Sequence, residues 1–284
     1  MSNLTRIAIT GGKGGTGKSL VATALAVELA KTSKVLLVDM DVDCPDDHLL
    51  LSIEPKKEKD VMITMPTGIS QKCIKCGKCA EACRENAILF HKETGPKFIP
   101  DQCIGCTACM ISCPVDAIIA EEVSTGSVYT GSGWGIDFVS GELAAGKKES
   151  SPVVNAVNKH IANSQEQYDY VIVDTAAGTH CNVIAALRGC DLALAVTEAT
   201  PMGAHDLNLI LELLAELNIP AKGILNKAGV GKRELSETVF AKHNVPILEE
   251  IPYSREIALS YSKGTPAIVS QIKELAEKIR RQKL

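Results

Sequence analysis

Short apolar runs alternate along this chain with amphipathic stretches of helical period. Residues 7–10 and 34–38 are apolar runs that predict two buried strands. Between them, 18–31 sets Leu20, Val21, Ala24, Leu25, Ala26 and Leu29 on one helical face. Strand, loop, helix and strand in that order open a doubly wound, mostly parallel α/β sheet. The same alternation occupies the second half. Strands are predicted over 136–139, 170–173, 192–197 and 221–225, and helices over 152–163, 206–217, 232–243 and 269–282.

The pattern breaks in between. Residues 55–60 read as a charged linker, about 70–120 is rich in cysteine, and 124–135 is rich in Gly and Ser. The plainest organisation is one α/β domain, 1–62 plus 123–284, interrupted by an insert over 63–122. The insert repeats itself. Cys73, Cys76, Cys79 and Cys83 recur 30 residues later as Cys103, Cys106, Cys109 and Cys113. Glu85-Asn86-Ala87-Ile88 answers Val115-Asp116-Ala117-Ile118. Each half is too short to bury a core, so bound metal is expected to stabilise it.

Composition narrows the function classes. A net charge of −4 and only ten aromatic residues (five Tyr, four Phe, one Trp) give no polyanion surface and no base-stacking platform, so nucleic-acid binding is not expected. No run of 18 apolar residues occurs, which argues against a membrane span. The first residues carry no leader-like apolar segment, and the protein reads as cytoplasmic.

Residues 12–19, Gly-Lys-Gly-Gly-Thr-Gly-Lys-Ser, fit G-x-x-x-x-G-K-[ST]. Successive amides in such a loop form a nest for phosphate oxygens, aided by the following helix dipole. Lys18 can reach the β- and γ-phosphates of ATP, and the Ser19 hydroxyl can ligate Mg²⁺. Gly12, Gly14 and Gly17 also satisfy G-x-G-x-x-G, with Asp39 about 20 residues on, so a dinucleotide fold is a rival. Lys18-Ser19 has no role in that rival, and a second strand-end acid, Asp174, matches what a triphosphate–Mg²⁺ site requires. Strand-end aspartates also cap helices, but beside this loop the functional reading is favoured.

Lys13-Gly14-Gly15-Thr16-Gly17-Lys18-Ser19 resembles the deviant Walker A of the MinD/ParA/nitrogenase-iron-protein class, and the chain resembles MinD-superfamily ATPases with an inserted ferredoxin domain. The resemblance implies that Lys13 reaches across an ATP-sandwiched homodimer to the partner's nucleotide. It implies that 39–43 is switch I, with Asp41 activating the attacking water. It implies that 174–179 is switch II, with Asp174 on Mg²⁺ through water and the Gly178 amide sensing the γ-phosphate. Asn226 fits the adenine-reading position and Pro252 the loop packed on the base, and Leu20 is expected among the nucleotide-binding residues. Cys44-Pro45-Asp46 departs from the Ala-Pro-Asn common in the family, adding an acid.

C-x₂-C-x₂-C-x₃-C is the bacterial ferredoxin run, and it occurs twice. In that pattern the fourth cysteine ligates the other cluster. Cys73, Cys76, Cys79 and Cys113 are therefore expected to hold one 4Fe-4S cluster, and Cys103, Cys106, Cys109 and Cys83 the second. Zinc and disulfides fit the spacing and the compartment less well. Of the other cysteines, Cys190 reads as buried, while Cys44 and Cys181 fall beside the switches. The C-terminal helix presents Ile272, Leu275, Ala276 and Ile279 on one face; docking on the sheet is favoured over membrane association.

The expected function is slow, partner-stimulated ATP hydrolysis, with dimerisation gating electron transfer or metal-cluster delivery to an unidentified redox or client protein. The alternative is a positioning or scaffold ATPase of the MinD/ParA kind, with structural or redox-sensing clusters.

Overall fold

The computed structural model describes residues 5–164 and 167–281. Among the described residues, nine strands form one sheet. They are β1 (Thr5–Thr10), β2 (Val35–Asp39), β3 (Lys56–Ile69), β6 (Ile118–Gly133), β7 (Ile136–Leu143), β8 (Tyr170–Asp174), β9 (Leu192–Glu198), β10 (Ala221–Ala228) and β11 (Ile247–Pro252). Their order is β11-β10-β9-β1-β8-β2-β7-β6-β3. The run from β11 to β7 is parallel; β6 and β3 continue it antiparallel.

The parallel strands are buried on both faces, which is why they read as unbroken apolar runs. Ile7, Ile9, Leu37, Ile172 and Leu194 face a core built with α1 (Lys18–Ala30) and α10 (Ser270–Arg281). Ala8, Leu36, Val38, Val171 and Val173 face a second core. This one is built with α5 (Ser151–Ser164), α6 (Cys181–Leu187) and α7 (Pro201–Glu216). Ile272, Leu275, Ala276 and Ile279 of α10 are all buried, so its apolar face is consumed by the core, as expected. Among the described residues, no helix is long and apolar enough to cross a membrane.

One expectation is corrected, and one segment without an assigned element is largely strand. The charged segment 55–60 is not a linker, and the Gly/Ser-rich segment 124–135 is largely strand: they lie in β3 and β6, which pair from Lys56–Thr130 to Ile69–Ile118. Their outward charges and small residues masked the strand period, because this pair is solvent-facing over much of its length. Both strands run unbroken through 62/63 and 122/123, forming a stalk continuous with the main sheet. Helix α7 also begins five residues earlier than predicted. Pro201 occupies its first position, and the Thr200 hydroxyl accepts from the Gly203 amide at 3.0 Å.

Beyond the stalk lie α3 (Lys78–Glu81), the hairpin β4 (Ile88–His91) with β5 (Gly95–Phe98), a 3-10 turn (Pro100–Gln102) and α4 (Ala108–Ile111). The sequence repeat is also a backbone repeat. Left-handed φ angles occur at Lys75 and Gly105, at Gly77 and Thr107, and at Asn86 and Asp116. In each half an amide four residues past the last cysteine donates to its sulfur, Ala87 to Cys83 at 3.2 Å and Ala117 to Cys113 at 3.3 Å.

Candidate nucleotide site and cysteine cavities

The glycine loop joins β1 to α1 at the C-terminal edge of the sheet. There the chain passes from β1 to β2 on one side, while β9 lies on the other. Crevices at such points are where open α/β sheets bind ligands. Gly17 stands at φ +95°, and a Cβ there would come within 2.1 Å of Asn226 Nδ2. Only glycine permits that approach. Asn226 Nδ2 donates to the Thr16 carbonyl at 2.8 Å, and Thr16 is buried. Lys18 is also buried, with Nζ 3.4 Å from the Lys13 carbonyl.

Asp39 and Asp174 end neighbouring strands and are direct register partners. Asp39 accepts from the amides of Asp41 and Asp47 at 3.0 and 3.1 Å. Asp46 and Asp47 join this group: one oxygen each of Asp39, Asp46 and Asp47 lies within 4.8 Å of the others. Neither Asp47 oxygen, nor Oδ1 of Asp174, has a hydrogen-bond partner although all are buried. Burial pushes the Asp174 carboxyl up to about 7 against the opposing hydrogen bond from Ser19 and the charge of Lys18. Burial likewise raises Asp41, with Lys18 opposing, and Asp46, with Ser19 opposing. Burial and the neighbouring Asp174 raise Asp39 and Asp47. Orphaned oxygens beside a serine hydroxyl are the hard donor set that a divalent cation takes.

A cavity of about 380 Å³ opens beside the loop. Leu20, Asn226 and Pro252 line it, together with Tyr253, Ile257 and Tyr261, the last two on α9 (Arg255–Ser262). The α9 residues were missed because that short helix buries none of its side chains, and so left no apolar face to read. Gly178 lies at the base of the loop, where its amide donates to Gly11 at 3.3 Å. Lys13 points to Glu198 within its own chain, at 2.5 Å. Glu198 and Lys227, which contacts it at 2.9 Å, had no sequence signal, being single charged residues at strand ends.

The eight insert cysteines line two separate small cavities. One is bounded by Cys73, Cys76, Cys79 and Cys113, the other by Cys83, Cys103, Cys106 and Cys109. Each therefore takes its fourth thiol from the other run. All are free thiols. Amides of Ala117 and Val115 lower the Cys113 thiol, whereas burial raises Cys79 and Cys109. Four thiols around a small, mostly apolar cavity, with amides aimed at sulfur, fit an iron–sulfur cluster.

Comparison with known proteins agrees with this geometry. The sheet order and glycine loop define a P-loop nucleotide-binding protein. The chain belongs to the CobQ/CobB/MinD/ParA nucleotide-binding domain family, whose model matches residues 7–267. It is 33% identical over 267 residues to the uncharacterised protein MJ0579 of Methanocaldococcus jannaschii, covering 93% of this chain and 91% of that one. The Pyrococcus furiosus cell division ATPase MinD shares the fold with a TM-score of 0.62 at 20% identity, over 99% of this chain and 100% of that one. A shorter match, 26% over 104 residues, is to an iron-sulfur cluster carrier protein of Rickettsia conorii, covering 36% of this chain and 33% of that one.

Proposed function

We propose that this protein is an ATP-hydrolysing iron–sulfur protein in which nucleotide-driven dimerisation gates electron transfer or cluster delivery through two 4Fe-4S clusters. One observation carries the reading. Two cavities of four thiols sit at the tip of a stalk whose strands are continuous with the nucleotide-binding sheet. Residues 63–122 act as a ferredoxin-like insert in the ATPase formed by 1–62 and 123–284.

Within the nucleotide site, the loop amides and Lys18 bind the phosphates. Ser19, Asp41 and Asp174 hold Mg²⁺, Asp41 also orients the attacking water, and Asn226 and Pro252 contact the base. Lys13 crosses to the nucleotide of a second copy. The clusters supply one-electron chemistry; the protein holds each with cysteines from both halves of the repeat. The similarity to a cluster carrier supports delivery as one output.

Anaerobically purified protein tests the reading. About eight irons and eight sulfides per chain are expected, together with a dimer in ATP and a monomer in ADP. Zinc in place of iron would overturn the cluster assignment. A monomer in both nucleotides would overturn the gating.

A further inference from the structure

The signature lysine is already engaged in this single chain. Lys13 Nζ lies 2.5 Å from Glu198 Oε1, and Lys227 Nζ lies 2.9 Å from Oε2 of the same carboxylate. Lys227 also donates to the Gly15 carbonyl at 2.8 Å, which ties it to the phosphate loop. Glu198 ends β9 and is itself held. The Thr200 hydroxyl donates to Oε1 at 3.3 Å, and the Ser236 hydroxyl donates to its main-chain carbonyl at 3.3 Å. Its side chain is 11% exposed, against 33% for Lys13 and 38% for Lys227. The carboxylate is therefore the fixed member, Lys227 is tied both to it and to the loop, and Lys13, held through Glu198 Oε1, is the member able to leave.

We infer that Glu198 is a positioning residue that parks Lys13 in the single chain, and that Lys227 keeps the parking contact weak enough to release. The inference rests on the proposed crossing of Lys13 to a partner's nucleotide. A carboxylate this enclosed is costly to leave unpaired. With a single lysine, departure of Lys13 would strand the charge. With Lys227 on the second oxygen, Lys13 leaves and Glu198 stays neutralised. Burial alone would raise the Glu198 carboxyl, but hydrogen bonds from Lys13 and Lys227 outweigh it and hold it at about 2. The acceptor thus stays charged throughout the working pH range. Dimer closure becomes an exchange of one anion for another, Glu198 for a phosphate of the partner's nucleotide.

The two lysines make opposite predictions, which separates parking from a general structural role. Acetylation of Lys13 by an N-hydroxysuccinimide ester, followed by mass spectrometry, reads its freedom in the nucleotide-free, cluster-loaded chain. Glu198→Gln should label about fivefold faster than wild type, the scale of a partly exposed ion pair. Lys227→Met should label more slowly, since Lys13 then carries the carboxylate alone. Each dimer releases two parked lysines. Glu198→Gln should therefore tighten ATP-dependent dimerisation by about twentyfold in sedimentation measurements, and the gain should vanish when Lys13→Gln is added. Equal labelling of wild type and Glu198→Gln, or faster labelling of Lys227→Met, overturns the inference. A wild-type chain that stays monomeric in ATP overturns the crossing of Lys13 instead, and leaves the labelling rates to decide the parking contact by themselves.

Discussion

The amide of Leu143 donates to the carbonyl of Val42 at 2.7 Å, and the next amide, that of Ala144, donates to Thr125 at 2.9 Å. Val42 follows Asp41 in the segment expected to respond to nucleotide, and Thr125 lies in the stalk strand β6. Three elements are thus joined within two residues of β7 and its exit. A Cβ on Gly141 would come within 2.7 Å of the Val42 side chain, so the contact is close as well as hydrogen-bonded. A displacement of Val42 would therefore act directly on the end of β7 and, through Ala144, on the stalk strand. Gly141→Val should destabilise the fold by ~1–3 kcal/mol through overpacking and abolish nucleotide-dependent change in the cluster spectra. Melting curves and electron paramagnetic resonance with ATP and ADP measure the two effects. Intact nucleotide dependence in a folded variant would remove this route.

The crossing of thiols between the two cysteine runs gives the proposed clusters a stoichiometric signature. Cys73 and Cys113 share a cavity, whereas Cys73 and Cys83 do not. The double variant Cys73→Ser/Cys113→Ser should retain about four irons per chain, and Cys73→Ser/Cys83→Ser should retain close to none. Iron analysis distinguishes them, and the reverse ranking would mean that each run keeps its own cluster.

The acidic group sets a pH dependence for the cation-free chain. Asp174 has a folded-state value of about 7 against an ordinary 3.8, so the folded state holds the extra proton between those values. Its contribution to stability is full below about pH 4 and is lost as pH rises through 7. Asp39, Asp41, Asp46 and Asp47 are shifted in the same direction. Without nucleotide or Mg²⁺, the melting temperature should therefore fall between pH 5 and pH 8. Mg²⁺ with ADP should restore it most at the higher pH. A flat profile would mean that these carboxylates are paired by something else.

Gly17 carries two constraints at once, its φ of +95° and its approach to Asn226. Gly17→Ala should cost ~1–3 kcal/mol in stability and largely eliminate ATP binding. Pairing it with Asn226→Gly should recover part of the stability, since the clash goes but the backbone strain stays. Calorimetric unfolding and nucleotide titration would report each separately.

Leu275 of α10 is fully buried against the sheet. Leu275→Ala should lose ~2–5 kcal/mol without altering liposome co-sedimentation. A change in lipid binding at unchanged stability would instead mean that the helix leaves the core.

Much of the fold was legible because the parallel strands are buried on both sides, as at residues 170–173 and 192–197. The phosphate loop and the eight cysteines were legible because their chemistry demands fixed spacing. The stalk was not, since Lys56–Asp60 are exposed and carry no apolar alternation. The Lys13–Glu198 contact was equally invisible: it joins residues 185 apart, and neither has a local pattern that names the other. Asp47 lacked a motif too, and its burial is a property of the assembled loop.

Among the described residues, strand β1 pairs with β8 and β9, residues 170–174 and 192–198. The loop that it carries therefore has no sheet to stand on until those strands have left the ribosome. The cysteine segment emerges earlier, and its pairings are local except for the stalk. During synthesis, the cysteine segment at the tip can therefore fold before the phosphate loop first takes shape, which puts the insert ahead of the nucleotide site in the order of assembly.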